Sequence, residues 1–518
     1  MAAFALLIAF ILAFPASADA RPKKAPKFAP RTAAALPPEL ARALARARVP
    51  AEHVAMAVVP VVPPGAVNPA PPAGRASGGE RAWPAPDLSA QTAPRLAWRV
   101  DAPMNPASVM KLVTTYAGLD LLGPDYVWKT RVYTQGQVSG GVLRGNLVIE
   151  GGGDPKLVVE RLTALMQAIQ EQGVRVIRGD ILMSDRVFDL PPHDPAAFDD
   201  DPLRPYNAGP DGLLINFGAL VFKFFPDPAT GHVRVETEPP AGNAAVPTEV
   251  PGAAGACGNW REQLALDFNN AAQARFAGAY PLTCGDQQWA VAYPDPAHFA
   301  PHVIEATWRA SGGALTGQAR WLEGPIPAHA KPLVTGDSLP LAEIVADINK
   351  FSNNVMAQQL FLTLSAAESG GAQRGSFERS RSRVARWWRD RFGLRAAPVV
   401  VNGAGLSRDS RISAASLVAL LQQAANDPVA GQSFMQSLSV AGVDGTMAHL
   451  AERRPGSEAI GKAMLKTGTL RNVAAMAGYV RGRSGQLYAV ASLVNDADAP
   501  AARAALDQLL EWTVRDQP

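Results

Sequence analysis

Three short motifs constrain this chain more than any other feature. Ser108-Val-Met-Lys111, Ser352-Asn353-Asn354 and Lys466-Thr467-Gly468 occur once each and in that order. Ser352 follows Ser108 by 244 positions (352 − 108), so a fold that unites them must carry a long excursion between them. Such an excursion is tolerable because loop-closure entropy grows only slowly with length.

Each motif supplies a different part of an acyl-transfer site, which needs a nucleophile, a base, an oxyanion hole and a proton for the leaving group. Ser108 and Lys111 stand at i and i+3, so on a helix they share a face. Asn105-Pro106-Ala107 opens that helix, with Asn105 as cap and Pro106 at its first position. Apolar residues continue it through Leu112, Val113, Tyr116, Leu119 and Leu122, and Gly123-Pro124 stops it. Ser108 therefore falls in the first turn, where the helix dipole favours negative charge. Lys111 acts as a base only when neutral, and an ordinary lysine is about three units too basic at neutral pH. Burial lowers that value and a second cation lowers it further; Lys466 is the candidate.

Ser352-Asn353-Asn354 interrupts an amphipathic segment from Leu339 to Ser365. Ser and Asn are poor in a helix middle. They read as a turn between two helices, or as a proton-relaying hydroxyl and an amide that binds Lys111 and a substrate carbonyl. Lys466-Thr467-Gly468-Thr469 reads as strand, followed by strands over Val473–Val480 and Leu487–Val494. A lysine on an edge strand can serve only to discourage aggregation. The sharper reading is an edge that pairs with an extended peptide, with Lys466 and Thr467 holding a terminal carboxylate. Gly468 would allow close backbone approach, and the N–H of Thr469 would join that of Ser108 as an oxyanion hole.

The S-x-x-K, S-x-N, K-T-G set resembles the D-alanyl-D-alanine carboxypeptidase/endopeptidases, the class C low-molecular-mass penicillin-binding proteins of the penicillin-binding protein 4 type. Further stretches carry the likeness: Pro106 to Leu112, Gly151-Gly-Gly-Asp-Pro155, Asn402 to Arg408, and Gly442-Val-Asp-Gly-Thr446. The resemblance implies an α/β (α+β) fold with a penicillin-binding/β-lactamase-like transpeptidase domain. Its antiparallel sheet would have helices on both faces and be interrupted by a large, mostly-β insert. It implies a division into residues 21–127 and 336–518 for that domain and 128–335 for the insert. It implies Ser108 as nucleophile, Lys111 as general base and Ser352 with Asn354 as the second pair. Lys466, Thr467, Gly468 and Thr469 would bind substrate. Arg408 matches an arginine that contacts the peptide side chain, and Asp201, within Asp199-Asp200-Asp201, is the match for an acidic residue from the insert; that run also reads as a solvated acidic loop. An Asp and an Arg suit a side chain ending in an amine and a carboxylate, as in diaminopimelate. The implied partners are peptidoglycan stem peptides, with β-lactams as inhibitors, and no cofactor or metal.

Composition bounds the rest. Hydrophobic residues make up 47%, enough for large cores, and a net charge of +3 gives no argument for nucleic acid. The run Ala5 to Phe14 ending in Ala18-Asp-Ala20 resembles a signal peptide (residues 1–20), although no Lys or Arg precedes it. Export implies a periplasmic enzyme with at most peripheral membrane contact, and makes a Cys257–Cys284 bridge the expectation over two buried thiols. Arg21 to Arg31 is a basic tail, and Pro63 to Pro94 a Pro/Gly/Ala-rich loop with no assigned role. Asp154 reads as the cap of a helix over Leu157–Gln172. The helix Ala501–Val514 reads as packing on a sheet rather than lying on a membrane. Gly336-Asp-Ser-Leu339 and Asp295-Pro-Ala-His298 spell a second serine-hydrolase pattern, but in reversed order. Two other functions share the motifs: a non-catalytic wall-binding scaffold and a β-lactamase, for which no glutamate base for deacylation is assignable.

Overall fold

The computed structural model describes residues 35–62, 93–242, 244–327, 329–368, 370, 372–393 and 396–517. The signal peptide, the basic tail and all but the last two residues of the Pro63–Pro94 loop lie outside the described residues.

Six strands form an antiparallel sheet. They are β1 (Val54–Pro60), β2 (Leu96–Trp98), β3 (Ser439–Val440), β4 (Ala463–Leu470), β5 (Val473–Arg481) and β6 (Leu487–Asn495), in the order β3-β4-β5-β6-β1-β2. Strand periodicity sorts their side chains into two cores. Ala55 and Ala57 join Ala475 and Ala477 in one, and Val54, Met56 and Val58 join Ala474 and Met476 in the other. The first core is closed by α2 (Lys111–Leu122), α3 (Leu341–Phe351), α4 (Asn354–Glu368), α5 (Phe377–Phe392) and α6 (Ala414–Ala425). The second is closed by α1 (Pro38–Arg46) and α7 (Arg503–Val514). The apolar stripe of α7 thus packs on the sheet. None of the described helices is long and apolar enough to cross a membrane.

Between Trp128 and Ser338 the chain builds a β-rich region. It holds a seven-stranded sheet, a five-stranded sheet, a two-stranded ribbon (Leu266–Asn270 with Gln273–Phe276) and the helices Val159–Glu171 and Pro296–Ala310. Its apolar residues form their own core around Phe222, Phe224, Trp260, Phe268 and Trp308. Cys257 and Cys284 are bridged within it. Buried Gln359 of α4 fixes this region against the helices. Its Nε2 donates to Gly153 O and Asp211 O, while its Oε1 accepts from the Asp211 N–H at 3.1 Å.

Two local expectations need correction. Asp154 does not cap the helix at Val159. Its Oδ1 accepts from the Lys156 N–H and its Oδ2 from Arg161, an Asx-type turn that consumes the carboxylate before the helix begins. Asn105 is not the cap of α2, and Pro106 is not its first residue. Ser108 sits in a 3₁₀ turn (Ala107–Met110), and α2 proper begins at Lys111. Asn105 instead closes a turn onto the Ala107 N–H (2.9 Å) and donates to Ser407 O (2.9 Å). Ser338, by contrast, agrees with the reading of its Gly336–Leu339 stretch as a coincidental pattern: its hydroxyl accepts from the Trp128 N–H and donates to Leu339 O.

Candidate active site

The backbone at Ala107 has φ +47°, a left-handed kink that turns the chain sharply into α2. The Asn402–Arg408 loop presses on this kink. A Cβ on Gly405 would stand 2.0 Å from Ala107 O, which only glycine avoids. From this anchored turn, the i, i+3 spacing carries the Lys111 Nζ to 2.9 Å from the Ser108 Oγ.

Lys111 is fully buried. Besides Ser108, its amine meets Asn354 Oδ1 at 2.6 Å and Ala404 O at 2.7 Å. Carbonyl oxygens only accept. A neutral amine therefore spends both N–H groups on Asn354 and Ala404, and its lone pair is left for the Ser108 O–H. Burial, reinforced by the charge of Lys466, holds the Lys111 amine well below the ordinary lysine range. The site thus favours the form of Lys111 that can take a proton.

The second motif is the junction of α3 and α4. Ser352 adopts the left-handed conformation (φ +58°) that ends α3, and Asn353 Oδ1 caps α4 through the Met356 N–H at 3.1 Å. This brings Asn354 in against Lys111, while its Nδ2 donates to Tyr206 O at 3.0 Å. Ser352 Oγ accepts from Lys466 Nζ at 2.8 Å. Lys466 is also fully buried, and burial lowers its amine to about 7.

Beside it on β4, Thr467 Oγ1 donates to Thr446 Oγ1 at 2.8 Å. A Cβ on Gly468 would lie 2.5 Å from Pro106 O and 2.9 Å from Ser108 N, so glycine alone lets β4 rest on the Ser108 turn. β3 pairs only with Met464 and Leu465, and so leaves the outer edge of β4 from Lys466 onward without a strand partner. A cavity of about 260 Å³ opens there, lined by Ser108, Ser352, Thr446, Thr467, Gly468 and Thr469 among others.

The more distant candidates meet at one loop, which carries Asp201 and which Arg408 touches from the Asn402–Arg408 stretch. Arg408 is exposed; its Nη2 donates to Phe198 O at 3.2 Å and its guanidinium lies 5.3 Å from the centre of the Phe198 ring. Asp201 pairs with Arg204 at 2.6 Å rather than with Arg408. The same loop ends at Tyr206, whose carbonyl holds Asn354. Sequence reasoning missed Ala404, Tyr206 and Thr446. Ala404 and Thr446 lie in stretches already noted for their resemblance, but a backbone carbonyl leaves no side-chain signature.

Known proteins resemble this chain in sequence and fold. The D-Ala-D-Ala carboxypeptidase 3 (S13) family pattern matches residues 90–515. A D-alanyl-D-alanine carboxypeptidase of Actinomadura sp. (strain R39) is 30% identical over 414 residues, covering 76% of this chain and 73% of that protein. The D-alanyl-D-alanine carboxypeptidase DacB of Haemophilus influenzae is 25% identical over 398 residues, 75% of this chain and 80% of its own. The crystal structure of penicillin binding protein 4 (dacB) from Haemophilus influenzae superposes with a TM-score of 0.68 at 20% identity, covering 91% of this chain and 97% of that one. The same protein complexed with a β-lactam gives a TM-score of 0.64. With a mixed α/β fold of the penicillin-binding kind and a serine–lysine pair at its cleft, the chain belongs to the D-Ala-D-Ala carboxypeptidase 3 (S13) family of serine-type D-Ala-D-Ala carboxypeptidases.

Proposed function

We propose that Ser108 is the nucleophile and Lys111 the general base of this carboxypeptidase. The carrying observation is that Lys111 meets two obligate acceptors and one hydroxyl, so its lone pair has a single productive direction. Lys111 takes the Ser108 proton as Oγ attacks the carbonyl of the penultimate D-alanine. The N–H groups of Ser108 and Thr469 receive the developing oxyanion. Ser352 passes the proton to the leaving amine, Asn354 orients Lys111 and the substrate carbonyl, and water then releases the acyl group. Lys466 and Thr467 hold the terminal carboxylate, and Gly468 keeps the strand close to the serine. Arg408 and Asp201 flank the peptide side chain on the acyl side, a reading supported by the contact of Arg408 with Phe198 of the loop that carries Asp201.

The finer reading extends to D,D-endopeptidase cleavage of cross-linked peptidoglycan stem peptides, acylation by β-lactams and a periplasmic location. In this reading residues 21–127 and 336–518 form the transpeptidase-like domain and 128–335 the insert. The test is D-alanine release from a stem pentapeptide by the full chain and by Ser108→Ala. Release by the wild type and none above background from a folded variant is expected; equal release from both would place the nucleophile elsewhere.

A further inference from the structure

The cavity at Ser108 does not end at the serine. It continues past Thr467 to Arg453 and to the N-terminal half of α7, where Arg503 and Asp507 stand. Asp507 is buried, and Arg453 Nη2 reaches its Oδ1 at 3.3 Å, so one guanidinium is matched by one carboxylate. Arg503 is exposed and makes no hydrogen bond or ion pair among the described residues; its charge acts on Asp507 from a distance. Two cations thus face one acid, and the far end of the cavity keeps a net positive charge.

Its position says which part of a substrate it meets. Thr446 touches Thr467 at 2.8 Å, and Arg453 follows Thr446 in the same segment. Arg453, Arg503 and Asp507 line the same cavity as Ser108 and Thr467, and with Lys466 and Thr467 as the carboxylate-binding pair this end corresponds to the leaving-group side of Ser108. A leaving D-alanine has one carboxylate, which that pair already takes, and offers nothing to Arg503.

We infer that Arg503, with Arg453, forms a cationic leaving-group subsite that takes a second carboxylate, carried by the leaving peptide of a cross-linked stem peptide. This rests on the active-site reading above. The bond changes are unaltered: Ser108 Oγ bonds to the D-alanyl carbonyl carbon, the C–N bond breaks, and the amine departs with the proton that Lys111 took from the serine. Only the amine differs. Arg503 touches none of the reacting atoms and acts as a specificity residue.

The test uses the full chain and three N-acyl-D-alanyl substrates that share an acyl part. Their leaving groups are D-alanine, D-α-aminopimelate with a distal carboxylate, and D-2-aminoheptanoate of the same length without one. The aminopimelate is expected to exceed the aminoheptanoate in kcat/KM by about fivefold, the size of one exposed guanidinium–carboxylate pair. Arg503→Gln should abolish that preference and Arg503→Glu reverse it, with D-alanine release and benzylpenicillin acylation unchanged. Equal rates for the two seven-carbon leaving groups in the wild type overturn the subsite, as does an equal loss on all three substrates in Arg503→Gln. A wild-type chain that neither acylates with benzylpenicillin nor releases D-alanine overturns the active-site reading itself, and the subsite with it.

Discussion

Replacing Asn354 by Asp changes almost no volume and puts a negative charge where the amide oxygen now stands, 2.6 Å from the Lys111 amine. At an effective dielectric of ~20, Coulomb attraction over that distance is roughly 6 kcal/mol, an upper limit because the new carboxylate must itself be desolvated. Opposite charges this close shift a pKa by about 1 to 3 units in proteins. The sign is upward, since the carboxylate favours the ammonium. Lys111 acts in its neutral form, which is populated above its pKa. Raising that pKa removes the active form at pH 7 and restores it as pH rises. The loss at a pH below the pKa of Lys111 is therefore about 10- to 1,000-fold, at ~1.4 kcal/mol per unit, and it shrinks as pH rises past that pKa. The assay is the second-order acylation rate with benzylpenicillin from pH 5 to 10. The acidic limb of the Asn354→Asp profile should move to higher pH, whereas Asn354→Ala, which removes the acceptor without adding charge, should lower the rate with no upward shift. An unmoved acidic limb in Asn354→Asp would falsify the assignment of Lys111 as the titrating base.

Other perturbations probe different parts of the account. Gly468→Ala puts a Cβ 2.5 Å from Pro106 O and 2.9 Å from Ser108 N, both backbone atoms that must give way. Acylation should fall roughly 100-fold, the scale of losing one oxyanion donor, with the chain still folded by circular dichroism; a wild-type rate would contradict the close approach. Lys466 is neutral in the folded chain above about 7 but keeps its proton in the unfolded chain up to about 10.5. In that window the unfolded state binds more protons, so stability rises with pH. Lys466→Met should thus stabilise the protein by up to ~4 kcal/mol at pH 7 in urea titrations, with activity lost; a destabilised variant would refute the buried-charge argument. Carboxylate-ending substrates should show KM rising above about pH 7, as Lys466 loses its proton; a flat KM to pH 9 would remove Lys466 as the carboxylate partner. Serine at both Cys257 and Cys284 opens a loop with a sequence separation of 27. By loop entropy this costs roughly 3 to 4 kcal/mol, and an undiminished melting temperature would show that the bridge adds nothing.

The site was legible where chemistry and periodicity coincide. S-x-x-K declares a serine and a lysine on one helical face, and Lys111 does reach Ser108. The strands after Lys466 announced themselves as continuous apolar runs, buried on both faces in the sheet, and α7 announced its packing through a helical period. What stayed hidden depends on the tertiary path of the backbone. The left-handed kink at Ala107 carries no residue signature, because alanine is not a residue that marks positive φ. Likewise the carbonyls of Ala404 and Tyr206, which hold Lys111 and Asn354, can be supplied by any residue. Asp154 misled for a related reason: an aspartate before a helix can close a turn as readily as cap, and Arg161 decides it here. Asp201 was drawn from a run of three acids, and only the fold shows its carboxylate engaged with Arg204.

The most direct test of the central claim is the intact mass of the purified chain after brief exposure to benzylpenicillin and again hours later, followed by peptide mapping. The account predicts a single long-lived adduct on Ser108, absent from Ser108→Ala. An adduct on another residue, or a Ser108→Ala variant that still labels, would contradict it.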